Sequence, residues 1–162
     1  MSGTIQDKHG GSVAGRMDVR LWLRLLSCST VIEKRLRRRF ADRFDTTLPR
    51  FDVLAALDRH REGMTMSELS RALLVSNGNV TALVRQLHSQ NLVALAAPPG
   101  DRRSQVVRLT ADGTAHFATL AAAHHAWIGA MLADVPADQQ AALFTLLGAV
   151  KASIAREEDD EE

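Results

Sequence analysis

Ser76, Asn77, Gly78 and Asn79 stand together, followed by Val80 and Thr81, with Arg85 further along. Small polar residues at the start of a helix leave its first backbone amides pointing outward. Such an end suits phosphates and the polar edges of bases. Arg85, two turns on, extends that chemistry to a base or a phosphate. A second group is Gly100-Asp101-Arg102-Arg103. Two arginines on an exposed turn suit a narrow minor groove with its negative potential, and Asp101 is placed to orient one of them. Taken alone, the first group also reads as a capped surface helix, and the second as a solvated turn.

A third set suits a small organic anion. Arg16, Arg20 and Arg24 recur every fourth residue and form a row on one helix face. Trp22 belongs to the same helix, and Arg50 and Phe51 begin the next one. His125 reads as a packed or ligand-facing polar group. The same arginines also read as a solvated face whose long stems cover apolar surface.

These residues need elements to hold them. A first helix is expected from about Met17 to Asp42, with Leu21, Leu25, Cys28, Ile32, Leu36 and Phe40 on one face. A second opens at Thr47 and Pro49, with Phe51, Leu54 and Leu57 inward, and Gly63 breaks the chain after it. Thr65 and Glu68 form a capping box for a third helix, burying Met66, Leu69 and Leu73. Ser76 caps a fourth, with Val80, Leu83, Val84 and Leu87 as its apolar stripe. The short gap between these two helices is helix-turn-helix spacing.

The period then changes. LVALAA and QVVRLT are β-prone runs on either side of PPGDRRS and read as a hairpin. Thr110 caps a fifth helix, with Asp112 near its positive end, and Phe117, Leu120, His124, Trp127 and Met131 on one face. Pro136 opens a sixth, with Leu143, Leu147, Val150 and Ile154 near heptad spacing. A hairpin directly after a helix-turn-helix lets the recognition helix lie in the major groove while the hairpin reaches the adjacent minor groove.

The bulk numbers agree with a folded chain of this kind. Apolar content is 46% and charged content 24%, which is globular rather than disordered. The formal charge is +1, but six of the 19 acidic residues lie in 157–162, leaving 13 against 20 basic ones elsewhere. A single cysteine, no signal-like segment and no long apolar run point to the cytoplasm and away from a membrane.

LSRALLVSNGNVTALVRQLHSQNLV followed by DRRSQVVRLT resembles the MarR family, multiple-antibiotic-resistance-type regulators. The wing pattern D-x-R-x-x-x-V-x-L-T is met at Asp101, Arg103, Val107, Leu109 and Thr110, and the resemblance spans about residues 18–156. It implies a mainly α fold with a small β-hairpin wing, a winged helix-turn-helix lobe flanked by helices of an intertwined dimerisation domain. The division is 1–16 disordered, 17–48 dimerisation helix, 49–110 DNA-binding lobe, 111–156 dimerisation helices and 157–162 an acidic disordered tail. The first, fifth and sixth helices are also too apolar for the small lobe to cover, which independently favours a homodimer.

By position match, Ser76, Asn77, Asn79, Thr81 and Arg85 would face the major groove of double-stranded DNA at a near-palindromic operator, and Arg103 would enter the minor groove. There are departures. Leu74 stands where many relatives have glycine, Ser70 where many have alanine, and the first wing strand lacks a common basic pair.

The opening RLWLRLLSCSTVIEKRLRRRF resembles relatives tied to hydroxycinnamate and other aromatic-acid catabolism. That implies a repressor released by an aromatic carboxylate or its coenzyme A thioester. The thioester phosphates would suit the arginine row, and the acyl group an apolar pocket near Trp22 or Trp127. No resident cofactor is expected. Oxidant sensing through Cys28 is an alternative, weakened by its place on the apolar stripe and by the lack of tyrosine. Metal sensing lacks an H-x-x-x-H pair, and enzyme motifs are missing. A winged helix used only for protein contacts remains open.

Overall fold

The computed structural model describes residues 16–97 and 105–160. The expected disorder of 1–15 and the hairpin tip with Asp101, Arg102 and Arg103 therefore lie outside the described residues. The chain divides into one compact unit ending at His125 and another beginning at Ala126.

The first unit is built on helices α1 (Met17–Phe44), α2 (Leu48–Arg59), α3 (Met66–Leu73) and α4 (Asn77–Ser89), and it contains most of α5 (Ala111–Met131). Strands β1 (Met64–Thr65), β2 (Val93–Ala96) and β3 (Val106–Leu109) form one antiparallel sheet in the order β1-β3-β2. The expected hairpin is β2 with β3, paired from Val93↔Leu109 to Ala96↔Val106. The third strand was not expected. Two residues are too short to show a period of two, and β1 pairs only Met64↔Val107 and Thr65↔Val106.

Gly63 makes that third strand possible. Its φ is +93°, and a Cβ there would lie 2.5 Å from Val106 Cγ1 and 2.7 Å from the Val107 carbonyl oxygen. Only a residue without a side chain lets the chain turn from α2 against β3. Arg108 holds the turn from the other side, donating from Nε to the Glu62 carbonyl at 2.6 Å.

The core follows the expected faces. Phe51, Leu54, Leu57, Leu69, Val80, Val84 and Leu87 are buried, joined by Val93, Val107 and Leu120. The α1 face behaves differently. Leu36 and Phe40 are buried, Leu25 and Ile32 half-buried, and Leu21 exposed. Cys28, expected on the covered stripe, is exposed in the single chain. The buried residue of that turn is Ser27, whose hydroxyl donates back to the Leu23 carbonyl at 2.8 Å. Apolar residues spaced by three and four mark a stripe, but they do not say how much of its length meets a neighbour.

The cap signals hold with one exception. Thr65 Oγ1 accepts from the Glu68 amide while Glu68 Oε2 accepts from the Thr65 amide at 2.7 Å. The Ser76 hydroxyl accepts from the Asn79 amide. Thr110 Oγ1 accepts from the Gly113 amide at 2.9 Å and donates to the Asn91 carbonyl at 2.7 Å, tying α5 to the start of β2. Thr47 occupies the N-cap position of α2, but its side chain makes no cap hydrogen bond.

The second unit carries the end of α5 and helix α6 (Ala137–Asp160). The helix runs four residues into the acidic stretch expected to be unstructured. Each added helical residue gains a hydrogen bond, so a long helix propagates past weak formers. Leu143, Phe144, Leu146, Leu147 and Ile154 of α6 are exposed in the single chain.

Candidate nucleic-acid interface and effector cavity

The α3–turn–α4 segment forms the first candidate surface. On α4 the stripe of Val80, Val84 and Leu87 is buried, which turns the opposite face outward. Asn77, Gly78, Asn79 and Arg85 are exposed on it, and Thr81 is half-buried. A Cβ at Gly78 would meet nothing within 4 Å, so the helix start is open to close approach. Two of the expected contact residues have hydroxyls already engaged: Ser76 Oγ in the cap, and Thr81 Oγ1 donating to the Asn77 carbonyl at 2.9 Å. The freest polar side chains of the helix start are therefore Asn77 and Asn79. The sheet adds the stem of the wing.

The second candidate is a cavity of about 710 Å³ between α2 and α5 in the first unit. Its apolar wall is Phe51, Ala55, Phe117, Ala118 and Ala121. Its polar groups are Asp52, Asp58, Arg59, Arg61, Thr114, His124 and His125. The Phe51 ring stacks on His124 at 4.7 Å and meets Phe117 at 5.6 Å, giving the wall a continuous aromatic surface. Burial lowers the His124 pKa, and neighbouring His125 lowers it further. Burial pushes the Asp52 carboxyl the other way, from 3.8 up to about 6, against the pull of Arg37 and Arg59 and with a further push from Glu33. Both shifts favour uncharged forms in a half-buried, mostly apolar site.

Of the residues expected to hold a ligand, Phe51 and His125 line this cavity. Arg16, Arg20, Trp22, Arg24 and Arg50 do not. Arg16 pairs with Asp18 beside it, its Nε 3.1 Å from Oδ2. Arg20, Trp22 and Arg24 are exposed on the first turns of α1, ahead of the part that packs. Arg50 donates from its guanidinium to the Gln90 side-chain oxygen, and its Nε is buried without a partner. Trp127, the other tryptophan considered for a pocket, is buried and absent from the lining. Sequence reasoning missed Asp52, Arg59, Phe117 and His124. The available signal was that Phe117 and His124 already stood on the expected inner face of α5. Among the described residues no cluster of histidine, cysteine and carboxylate side chains could hold a metal ion. No described helix is long and apolar enough to cross a membrane.

Comparison with known proteins bears on the first of these surfaces. Residues 44–104 match the model described as "MarR family", and these span α2, both helices of the helix-turn-helix and β2. The chain is 32% identical over 118 residues to "Transcriptional activatory protein BadR" of Rhodopseudomonas palustris, covering 71% of this chain and 67% of BadR. It is 37% identical over 65 residues to "HTH-type transcriptional repressor NicR" of Pseudomonas putida, covering 40% of each chain. Among solved structures it superposes with a MarR family transcriptional regulator from Silicibacter pomeroyi at a TM-score of 0.71 and 29% identity, over 85% of this chain and 94% of that one. These relatives are transcriptional regulators rather than enzymes. By its family match, its relatives and its winged helix, this chain belongs to the MarR family of DNA-binding transcriptional regulators.

Proposed function

We propose that this protein is a cytoplasmic, homodimeric repressor that an aromatic carboxylate, or its coenzyme A thioester, releases from a near-palindromic operator. The observation that carries the effector part is the aromatic-walled cavity on α2, the same helix that packs against α3 and α4. Phe51, Phe117 and neutral His124 offer a face for a planar ring. Arg59 and Arg61 supply positive charge for a carboxylate or phosphate at the same cavity. A ligand that moves α2 biases the recognition helix, because interfaces between packed helices switch rather than stretch.

Asn77, Asn79 and Arg85 read the major groove, with Ser76 and Thr81 shaping the helix end, and Arg103 enters the minor groove. The exposed large apolar residues of α1 and, taken by itself, of α6 support dimerisation, since a soluble monomer seldom leaves so many such side chains on one helix in water. Arg16, Arg20 and Arg24, exposed at the start of α1, serve a thioester's phosphates only if the partner chain brings them to a cavity.

Mobility-shift titration tests this, using the DNA directly upstream of the protein's own coding region. It is run with and without hydroxycinnamates and their coenzyme A thioesters. A specific shift abolished by one of these ligands supports the reading. A shift indifferent to all of them sinks the effector class and leaves the DNA reading intact. The names of the relatives point both ways on direction, one activatory and one a repressor. A promoter fusion in a deletion strain decides it: repression predicts a rise in expression.

A further inference from the structure

Leu74 lies in the turn between α3 and α4, in left-handed backbone at φ 54° and ψ 41°. Glycine adopts that region freely and Asp or Asn tolerate it, whereas a bulky apolar residue does so at a conformational cost. The chain obeys this elsewhere: its other positive-φ positions among the described residues are Asp45, Gly63 and Asn91. Leu74 breaks the rule, and its side chain gains nothing inside the fold, being 92% exposed. The turn does not need it either. Backbone bonds close the turn, Leu74 N–H to the Arg71 carbonyl at 3.4 Å and Val75 N–H to the Ser70 carbonyl at 3.2 Å. The Ser70 hydroxyl adds a bond to the Val75 carbonyl.

An exposed isobutyl group on strained backbone is explained if something outside the chain covers it. Its position says what. Val75, also partly exposed, and the Ser76 cap follow directly, so Leu74 borders the open start of α4. We infer that Leu74 seats its side chain on the DNA duplex at the edge of the groove that α4 reads, against an apolar group of the DNA. Two such groups lie there: the thymine 5-methyl and the face of a deoxyribose. This inference rests on the DNA reading of α4, and it adds an apolar contact to a surface otherwise read through polar groups.

The test uses the full-length protein and a duplex that the wild type selects from a random pool. Leu74→Gly, Leu74→Asn and Leu74→Met are compared by fluorescence anisotropy across a salt series. Leu74→Gly relieves the backbone and should raise the unfolding midpoint by about 2–4 °C. It should also weaken DNA binding about 5- to 10-fold. Leu74→Asn, which tolerates the backbone without the apolar group, should lose a similar amount. Leu74→Met should stay within about twofold, because it keeps an apolar side chain.

The slope of log affinity against log salt should not change, since no phosphate contact is lost. Deoxyuridine replacing each thymine in turn separates the two sources. A position that weakens the wild type but not Leu74→Gly assigns the methyl, and the lack of any such position assigns the sugar. Glycine and asparagine variants that bind as tightly as the wild type would overturn the inference. So would a loss accompanied by a shallower salt slope, which would mean that α4 itself had shifted. A wild type that enriches no duplex would fail earlier, at the DNA reading itself.

Discussion

Replacing Asp52 by asparagine removes a charge that the fold holds at a disadvantage. The Asp52 carboxyl lies half-buried on the α2–α5 cavity, and its pKa is pushed up from 3.8 to about 6, mainly by burial. A group whose folded pKa is raised stabilises the fold below its unfolded pKa, and that contribution is lost as pH rises through the folded one. The window is therefore about pH 4 to 6, and above it the ionised carboxylate works against folding. A fully sealed group with this shift would account for about 3 kcal/mol. Asp52 is partly open to water, so solvent screening reduces the expected figure to about 1 kcal/mol.

An asparagine side chain in the same place has no charge to bury. At pH 8 the Asp52→Asn protein should unfold about 2–4 °C higher than the wild type, and near pH 4 the two should coincide. Thermal unfolding across this range, at one fixed protomer concentration, reads the difference, because a dimer's midpoint depends on concentration. The same carboxylate should oppose an anionic effector. The wild type's affinity for a hydroxycinnamate should fall between about pH 5 and 7, and that of the variant should stay flatter. A variant less stable than the wild type at pH 8 would refute the reasoning. It would mean that a cation faces Asp52 in the assembled protein and that Arg37 and Arg59 are not its main counter-charges.

Other substitutions probe other parts of the scheme. Arg85→Ala should weaken operator binding about tenfold and, if Arg85 meets a phosphate, lower the salt slope by about 1; unchanged binding in a salt titration would remove it from the interface. Arg103→Ala should weaken binding at the wing, and a mobility shift with unchanged affinity would count against minor-groove entry. Gly63→Ala must place a methyl 2.5 Å from Val106 Cγ1 at a φ of +93°. The expected loss is about 3 kcal/mol of stability, read as a urea midpoint.

The helix-turn-helix was legible because its signals are local. A capping box at Thr65 and Glu68, a serine at 76 and apolar residues every three or four positions each need only a few neighbours in sequence, and the structure places all of them. The switch to alternating β-prone runs was legible for the same reason. The cavity between α2 and α5 was not. Asp52 and His124 are 72 positions apart in the chain, and nothing near either reveals that Phe51 will stack on the His124 imidazole. The arginine row was visible, but periodicity shows only that Arg16, Arg20 and Arg24 share a face. It does not show that Arg16 will turn to Asp18, or that α1 starts to pack only further along.

The placement of α2 connects the two surfaces. Phe51 and Ala55 face the cavity, while Val53, Leu54 and Leu57 are buried in the core of the lobe, and α2 packs on both α3 and α4. One face of a 12-residue helix thus meets the candidate effector and another meets the DNA-reading pair. On the proposed reading, a ring that enters between Phe51 and Phe117 presses on the helix that also carries Leu54. Leu54 in turn lies in a close-packed core that transmits displacement rather than absorbing it. On the proposed reading, the shortest physical route from this cavity to α3 and α4 is through α2. Substituting Ala55 with a bulkier residue should fill the cavity and block the response while leaving operator affinity near that of the free wild type.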